Sequence, residues 1–199
     1  MTPSEVDIQI GEQALSQLLD GNRRYVELRR IHPNQSDDRR NSLLGGQHPQ
    51  AIILGCSDSR VPPEIIFDQG LGDLFVVRVA GNVIDDIVLA SIEYAAEHLH
   101  TPLLMVLGHT NCGAVQAAMD DTELDGHLPS IAQAIEEALE AARELPGDTL
   151  NNAIRAHARI TAEHLRLSEP VLSVLVRSGS LLIVSAIYDL DTGLVEILE

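Results

Sequence analysis

Apolar residues fall into two rhythms along this chain. Four short runs are almost continuously apolar: AIILG at 51–55, LFVVRVAG at 74–81, PLLMVLGH at 102–109 and LLIVSAIYD at 181–189. Runs of that length, rich in β-branched residues, predict strands buried on both faces. Pro102 stands at the entrance of the third, where a missing N–H is tolerated. Between the runs the spacing becomes helical. Residues 11–30 carry Leu15, Leu18, Leu19, Tyr25 and Val26 on one face, and 83–99 carry Ile84, Ile87, Val88, Ile92 and Ala95. AVQAAMD, from 114, begins another helix.

Residues 129–144 and 148–167 predict two more helices. The second is capped by Asp148, with Leu150, Ile154, Thr161 and Leu165 facing inward. Ser168-Glu169-Pro170 reads as the capped start of a short helix to about Arg177. Asp191-Thr192-Gly193 is a turn, and LVEIL after it is an edge strand folded back as a hairpin. The stretch 32–50 is polar and rich in Gly, Pro and Asn, so it predicts a loop; residues 120–127 predict an acidic one. No internal repeat is present.

The alternation predicts an α/β fold. It has a mostly parallel four-stranded sheet core with an antiparallel edge strand, flanked by helices and preceded by an N-terminal helical arm. Residues 1–45 are expected to form that arm and its loop, reaching onto a neighbouring subunit, and 46–199 the α/β domain. The length of 199 residues suits a single domain overall.

Charge narrows the partners. A formal net charge of −17 argues against nucleic acid and against an anionic membrane surface, both of which need a basic face. No apolar window reaches the length of a membrane span. The acidic, polar first residues do not resemble a targeting peptide. The expected location is cytoplasmic.

The chain has 2 cysteines, too few for a disulfide framework. Each follows an apolar run: Cys56 closes the first, and Cys112 stands three residues after His109, which closes the third. In a parallel sheet, ligand groups gather beyond the carboxyl ends of the strands. If the two strands are neighbours, Cys56, His109 and Cys112 converge. Two thiolates and an imidazole suit Zn²⁺, and three protein ligands leave a fourth position open, as catalytic sites do. Because two thiolates nearly cancel the metal charge, nearby hydrogen bonds must poise the bound water. Asp58 can accept such a bond, or ligate zinc itself, and Arg60 can hold its carboxylate ionised and oriented.

Two other chemistries fit less well. A closed structural zinc site wants a fourth cysteine or histidine, and none is evident, though His32, His48, His98, His100, His127, His157 and His164 remain in principle. A cysteine phosphatase loop wants five residues between Cys and Arg, whereas Cys56 and Arg60 are separated by Ser57-Asp58-Ser59.

CSDSR, then RVAGN, then GHTNCG, in this order and separation, resemble the β-class carbonic anhydrases, from about Gln47 to Met119 and again over the C-terminal strand pair. The resemblance implies zinc-dependent reversible hydration of CO₂ to bicarbonate and a proton, by attack of zinc-bound hydroxide. It implies Cys56, His109 and Cys112 as zinc ligands and Asp58 and Arg60 as the catalytic dyad. Gln47, Phe75, Ala80 and Tyr94 fall where the family binds substrate, in a pocket built across a dimer interface, so self-association as a dimer or larger homo-oligomer follows. Glu93 and His98 match positions of a proton relay. Ile53 replaces a tryptophan that one self-inhibiting branch uses to hold bicarbonate, although Arg78 and Tyr188 still match that site. Val79 stands where Asn is frequent. The rival readings are a CS₂/COS hydrolase on the same scaffold and a non-catalytic zinc-bound assembly protein.

Overall fold

The structure is a computed structural model and describes residues 5–120 and 124–198. Helices α1 (Glu5–Val26) and α2 (Asp37–Ser42) precede strand β1 (Ala51–Cys56) and α3 (Pro63–Ile66). Strand β2 (Leu74–Val79) passes through a tight turn, Ala80–Asn82, into α4 (Asp86–Glu93), which continues as a wider helical turn over Tyr94–His98. Then follow β3 (Leu103–His109), α5 (Gly113–Met119), α6 (Leu128–Ala142), α7 (Thr149–Leu167) and α8 (Leu172–Arg177). The hairpin of β4 (Leu182–Tyr188) and β5 (Val195–Leu198) ends the fold. Part of the predicted acidic loop, residues 121–123, lies outside the described residues.

The sheet order is β2-β1-β3-β4-β5. The first four strands are parallel and β5 pairs antiparallel to β4, as the alternation of elements predicts. Every residue of β1 and β3 is buried, which explains their unbroken apolar runs. Successive side chains point to opposite faces. Ile52, Leu54, Leu104 and Val106 meet Ile154, Ala158 and Leu165 of α7 on one face. Ala51, Ile53, Leu103, Met105 and Leu107 meet Ala14, Leu18 and Phe67 on the other.

From Gly11 onward helix α1 lies against its own sheet. A Cβ at Gly11 would stand 2.8 Å from Leu182 Cβ, and one at Gly21 would stand 1.8 Å from the Phe67 carbonyl oxygen. These two glycines let the helix settle onto β4 and α3. Buried Asn22 stitches the contact. Its Nδ2 donates to the carbonyls of Gly193 (2.8 Å) and Ile66 (3.3 Å), and its Oδ1 accepts from Val195 N at 2.9 Å.

Three expectations change in detail. The stretch 32–50 contains α2, capped by Ser36, whose side chain accepts from Arg39 N. This helix buries no residue, so no apolar periodicity announces it. In 83–99 the helix begins at Asp86 behind Asp85, which accepts from Ile87 N and Val88 N. That phase leaves Ile87 75% exposed while Val88, Ile92 and Ala95 turn inward. Helix α8 starts at Leu172, and it is the Ser168 carbonyl, not the side chain, that takes the Ser173 amide.

Candidate metal centre

Strands β1 and β3 are parallel neighbours, with Gly55 opposite Leu107. Their carboxyl ends therefore coincide, and Cys56 and His109 arrive together. The chain turns at Thr110 and Asn111 and enters α5, with Cys112 at its start. The ligand atoms of Cys56, His109 and Cys112 all lie within 4.8 Å of one another, and all three residues are buried. Both thiols are free.

The histidine is set for a ligand. Its Nδ1 lies 2.9 Å from the Thr110 carbonyl oxygen, which can only accept, so Nδ1 carries the proton. The lone pair is then on Nε2, a buried atom with no hydrogen-bond partner. An unpaired buried acceptor beside two thiols is costly without a ligand. An imidazole lone pair and two sulfurs at this spacing fit zinc, a cation that takes such donors tetrahedrally.

The thiols are polarised against each other. A hydrogen bond from Cys112 holds Cys56 well below the usual thiol range, aided by the amides of Asp58 and Gly81. The same bond, with burial, pushes Cys112 up. The Gly81 amide stands 3.3 Å from Cys56 Sγ.

Asp58 and Arg60 form a closed fork beside the cluster. Arg60 Nε and Nη2 donate to Oδ1 and Oδ2 at 2.9 and 2.7 Å, and the Arg60 amide adds a bond to Oδ1 at 2.9 Å. These bonds hold the Asp58 carboxyl well below the usual carboxylate range. Asp58 Oδ2 lies 3.8 Å from His109 Nε2, so the carboxylate borders the cluster. Arg60 also reaches the Asn111 carbonyl at 3.3 Å, tying the two ligand loops together.

Sequence reasoning gave Arg78 a different part. In the structure its guanidinium donates to the carbonyls of Cys56 (2.9 Å) and Asp58 (2.5 Å), so it pins the loop that carries both. Tyr188, the other residue matched to a bicarbonate pocket, pairs its hydroxyl with that of Tyr25 at 3.1 Å, and Ile53 is wholly buried. His157 was one histidine among several in the sequence; it is 4% exposed and bonded to the Gly81 carbonyl at 2.8 Å. Its only signal was its place on the apolar face of α7.

The four residues matched to the substrate pocket divide. Ala80 is exposed and stands one residue before the amide that meets Cys56. Phe75 is opposite Ile52, four strand residues or about 13 Å from the level of Cys56. The Tyr94 ring lies 6.3 Å from that of Phe75, and Gln47 is exposed ahead of β1. Within one chain these three sit at the amino end of the sheet, away from the thiols.

Comparison with known proteins fits this geometry. The carbonic anhydrase family model matches residues 51–195. Carbonic anhydrase 2 of Mycobacterium tuberculosis is 44% identical over 180 residues, covering 88% of this chain and 87% of that one. The carbonic anhydrase of Mycolicibacterium smegmatis is 41% identical over 184 residues, covering 90% and 89%. A tetrameric β-carbonic anhydrase of Sordaria macrospora superposes with a TM-score of 0.74 at 25% identity, covering 80% of this chain and 85% of its own. The Coccomyxa β-carbonic anhydrase gives 0.73 at 27%, covering 92% and 86%. The matched span contains the whole thiol–imidazole cluster and its carboxylate–guanidinium fork, and the chain belongs to the β-carbonic anhydrase family.

Proposed function

We propose that this carbonic anhydrase hydrates CO₂ reversibly to bicarbonate and a proton at the carboxyl end of β1 and β3. Cys56, His109 and Cys112 hold zinc, and Asp58 and Arg60 work beside it. The observation that carries this reading is the convergence of three ligand atoms within 4.8 Å next to a carboxylate kept ionised by Arg60. When bound, zinc supplies the Lewis acidity that brings the pKa of a water toward neutrality.

The chain's own residues do the rest. Asp58, acceptor-only while ionised, takes a hydrogen bond from the attacking water and turns its lone pair toward carbon. Arg60 fixes the carboxylate through two parallel bonds, a geometry that Lys cannot reproduce. Arg78 holds the backbone at Cys56 and Asp58, so carboxylate and thiol keep their relative position.

Gln47, Phe75 and Tyr94 serve the cluster of a second copy. Their remoteness from their own chain's thiols supports this, as do the 48% exposure of Tyr94 and the place of β2 at the edge of the sheet. The working unit is then a dimer or a larger homo-oligomer. Exposed His98, its ring tilted against that of Tyr94 at 5.5 Å, is suited to pass the proton to buffer. The cytoplasm, where thiols stay reduced, is the matching compartment; no helix among the described residues is long and apolar enough to cross a membrane.

Stopped-flow CO₂ hydration from about pH 6.5 to 9, on protein of verified zinc content, tests the reading. Turnover near neutral pH is expected, because both Asp58 oxygens are engaged by Arg60. Zinc bound with no turnover at any pH would overturn it.

A further inference from the structure

We propose that His157 is a positioning residue for the metal centre, acting through Gly81 on the Cys56 sulfur. The inference rests on the zinc reading above. His157 lies on α7, behind the cluster, and touches none of the three ligands through a hydrogen bond. Its Nε2 is 2.8 Å from the Gly81 carbonyl oxygen. A carbonyl only accepts, so this nitrogen carries the proton and donates. Burial lowers the proton affinity of the ring, which keeps it neutral with that single N–H.

Gly81 is the hinge between histidine and sulfur. Its φ of +68° lies in the left-handed region, which glycine enters freely. That conformation sends its carbonyl to α7 while its N–H points at Cys56 Sγ, 3.3 Å away. A Cβ here would stand 3.1 Å from Ala114 Cβ and 3.2 Å from Ile135 Cδ1. Helices α5 and α6 therefore close the other sides, and the histidine supplies the directional bond. Glycine without that anchor has many conformations open to it, and the amide loses its aim.

The aim matters because of what the amide touches. An N–H···S bond draws electron density from a thiolate and so limits the charge it gives to a metal. With two thiolates in the set, that limit helps to preserve the Lewis acidity the reaction needs. A histidine with a purely structural role would satisfy a buried carbonyl and leave the sulfur unaffected.

The test uses ¹⁵N-labelled protein loaded with ¹¹³Cd in place of zinc. In the wild type the metal should couple through the sulfur to the Gly81 amide proton, as well as to the side chains of Cys56 and Cys112. His157→Gln keeps an N–H donor and should keep the Gly81 coupling. His157→Leu fills similar space without a donor and should lose it while the cysteine couplings remain. In cobalt-loaded His157→Leu the thiolate-to-cobalt absorption should move to longer wavelength, and zinc affinity or turnover should fall about 10-fold. The proposal is overturned if the wild type shows cysteine couplings without the Gly81 coupling, a result that needs no variant to fold. It is also overturned if His157→Leu keeps both coupling and absorption. Cadmium that couples to neither cysteine would overturn the metal assignment itself, and this proposal with it.

Discussion

Asp58 accepts three hydrogen bonds from Arg60, and together they hold its carboxyl well below the ordinary carboxylate range. The group is therefore ionised throughout the working pH of the reaction, so no limb of the activity profile between pH 6 and 9 should belong to it. Its use is as a fixed acceptor. Asp58→Ala should lower turnover by about 10²–10⁴-fold, the usual worth of a positioned acid–base group. Zinc content, read by atomic absorption, should be unaltered. Loss of zinc in the variant would make Asp58 a ligand, and unaltered turnover would remove it from the site.

Helices place these residues, and two of their contacts can be weighed. On α1, Gly21→Ala would gain about 1 kcal/mol of helix propensity. The new methyl would, however, lie 1.8 Å from a backbone oxygen of Phe67, which cannot rotate aside. Overpacking of that kind costs about 1–3 kcal/mol, so the variant should be less stable in urea. A stabilised Gly21→Ala would show that α1 does not press on α3. On α7, Asp148 caps the first turn by accepting from Asn151 N at 3.1 Å. Asp148→Ala should cost about 1 kcal/mol, measured by the same denaturation. That turn leads to Ile154 and His157, so fraying there loosens the support behind the cluster.

Across the whole molecule, the segment after α1 is tied to the core by two buried carboxylates, Asp68 and Asp73, the second taking bonds from Asn34 and Arg39. Asp68, its side chain 1% exposed, accepts from Arg24 Nε at 2.7 Å and from the amides of Ile31 and His32 at 3.1 and 3.0 Å. Burial pushes this carboxyl up, but Arg24 and the two amides pull it down further, and the net shift is downward. The folded pKa thus lies below the unfolded value of about 3.9. The stabilisation is fully present above that value and is lost as pH falls through the folded pKa. Asp68→Asn should cost about 1–3 kcal/mol at pH 7. It should cost less at pH 3, where the wild type has already begun to lose the same interaction. Urea midpoints at the two pH values check this, and an equal loss at both would exclude the charge as the cause.

Much of this protein could be read from its chain. Continuous apolar runs marked β1 and β3 because both faces of a central strand are buried. The chain's two cysteines and His109 were visible at the ends of those runs, where a parallel sheet delivers its functional groups. Asp58 and Arg60 were visible because they follow Cys56 within one turn of chain. Helix α2 was hidden, since a helix that buries nothing leaves no pattern. Ile87 was misplaced because apolar spacing alone does not set the phase of a helix, whereas the Asp85 cap does. Tertiary structure alone decided that α1 lies on its own sheet, that Arg78 serves the backbone of the Cys56 loop, and that Phe75 and Tyr94 stand far from their own chain's thiols. It also brought His157 on α7 behind Gly81, 76 residues earlier in the chain. Local sequence determines which residues end a strand, because burial and turn chemistry act on neighbours along the chain. Which distant residue supports a given sulfur depends on register and helix packing, which are settled only when the whole core closes.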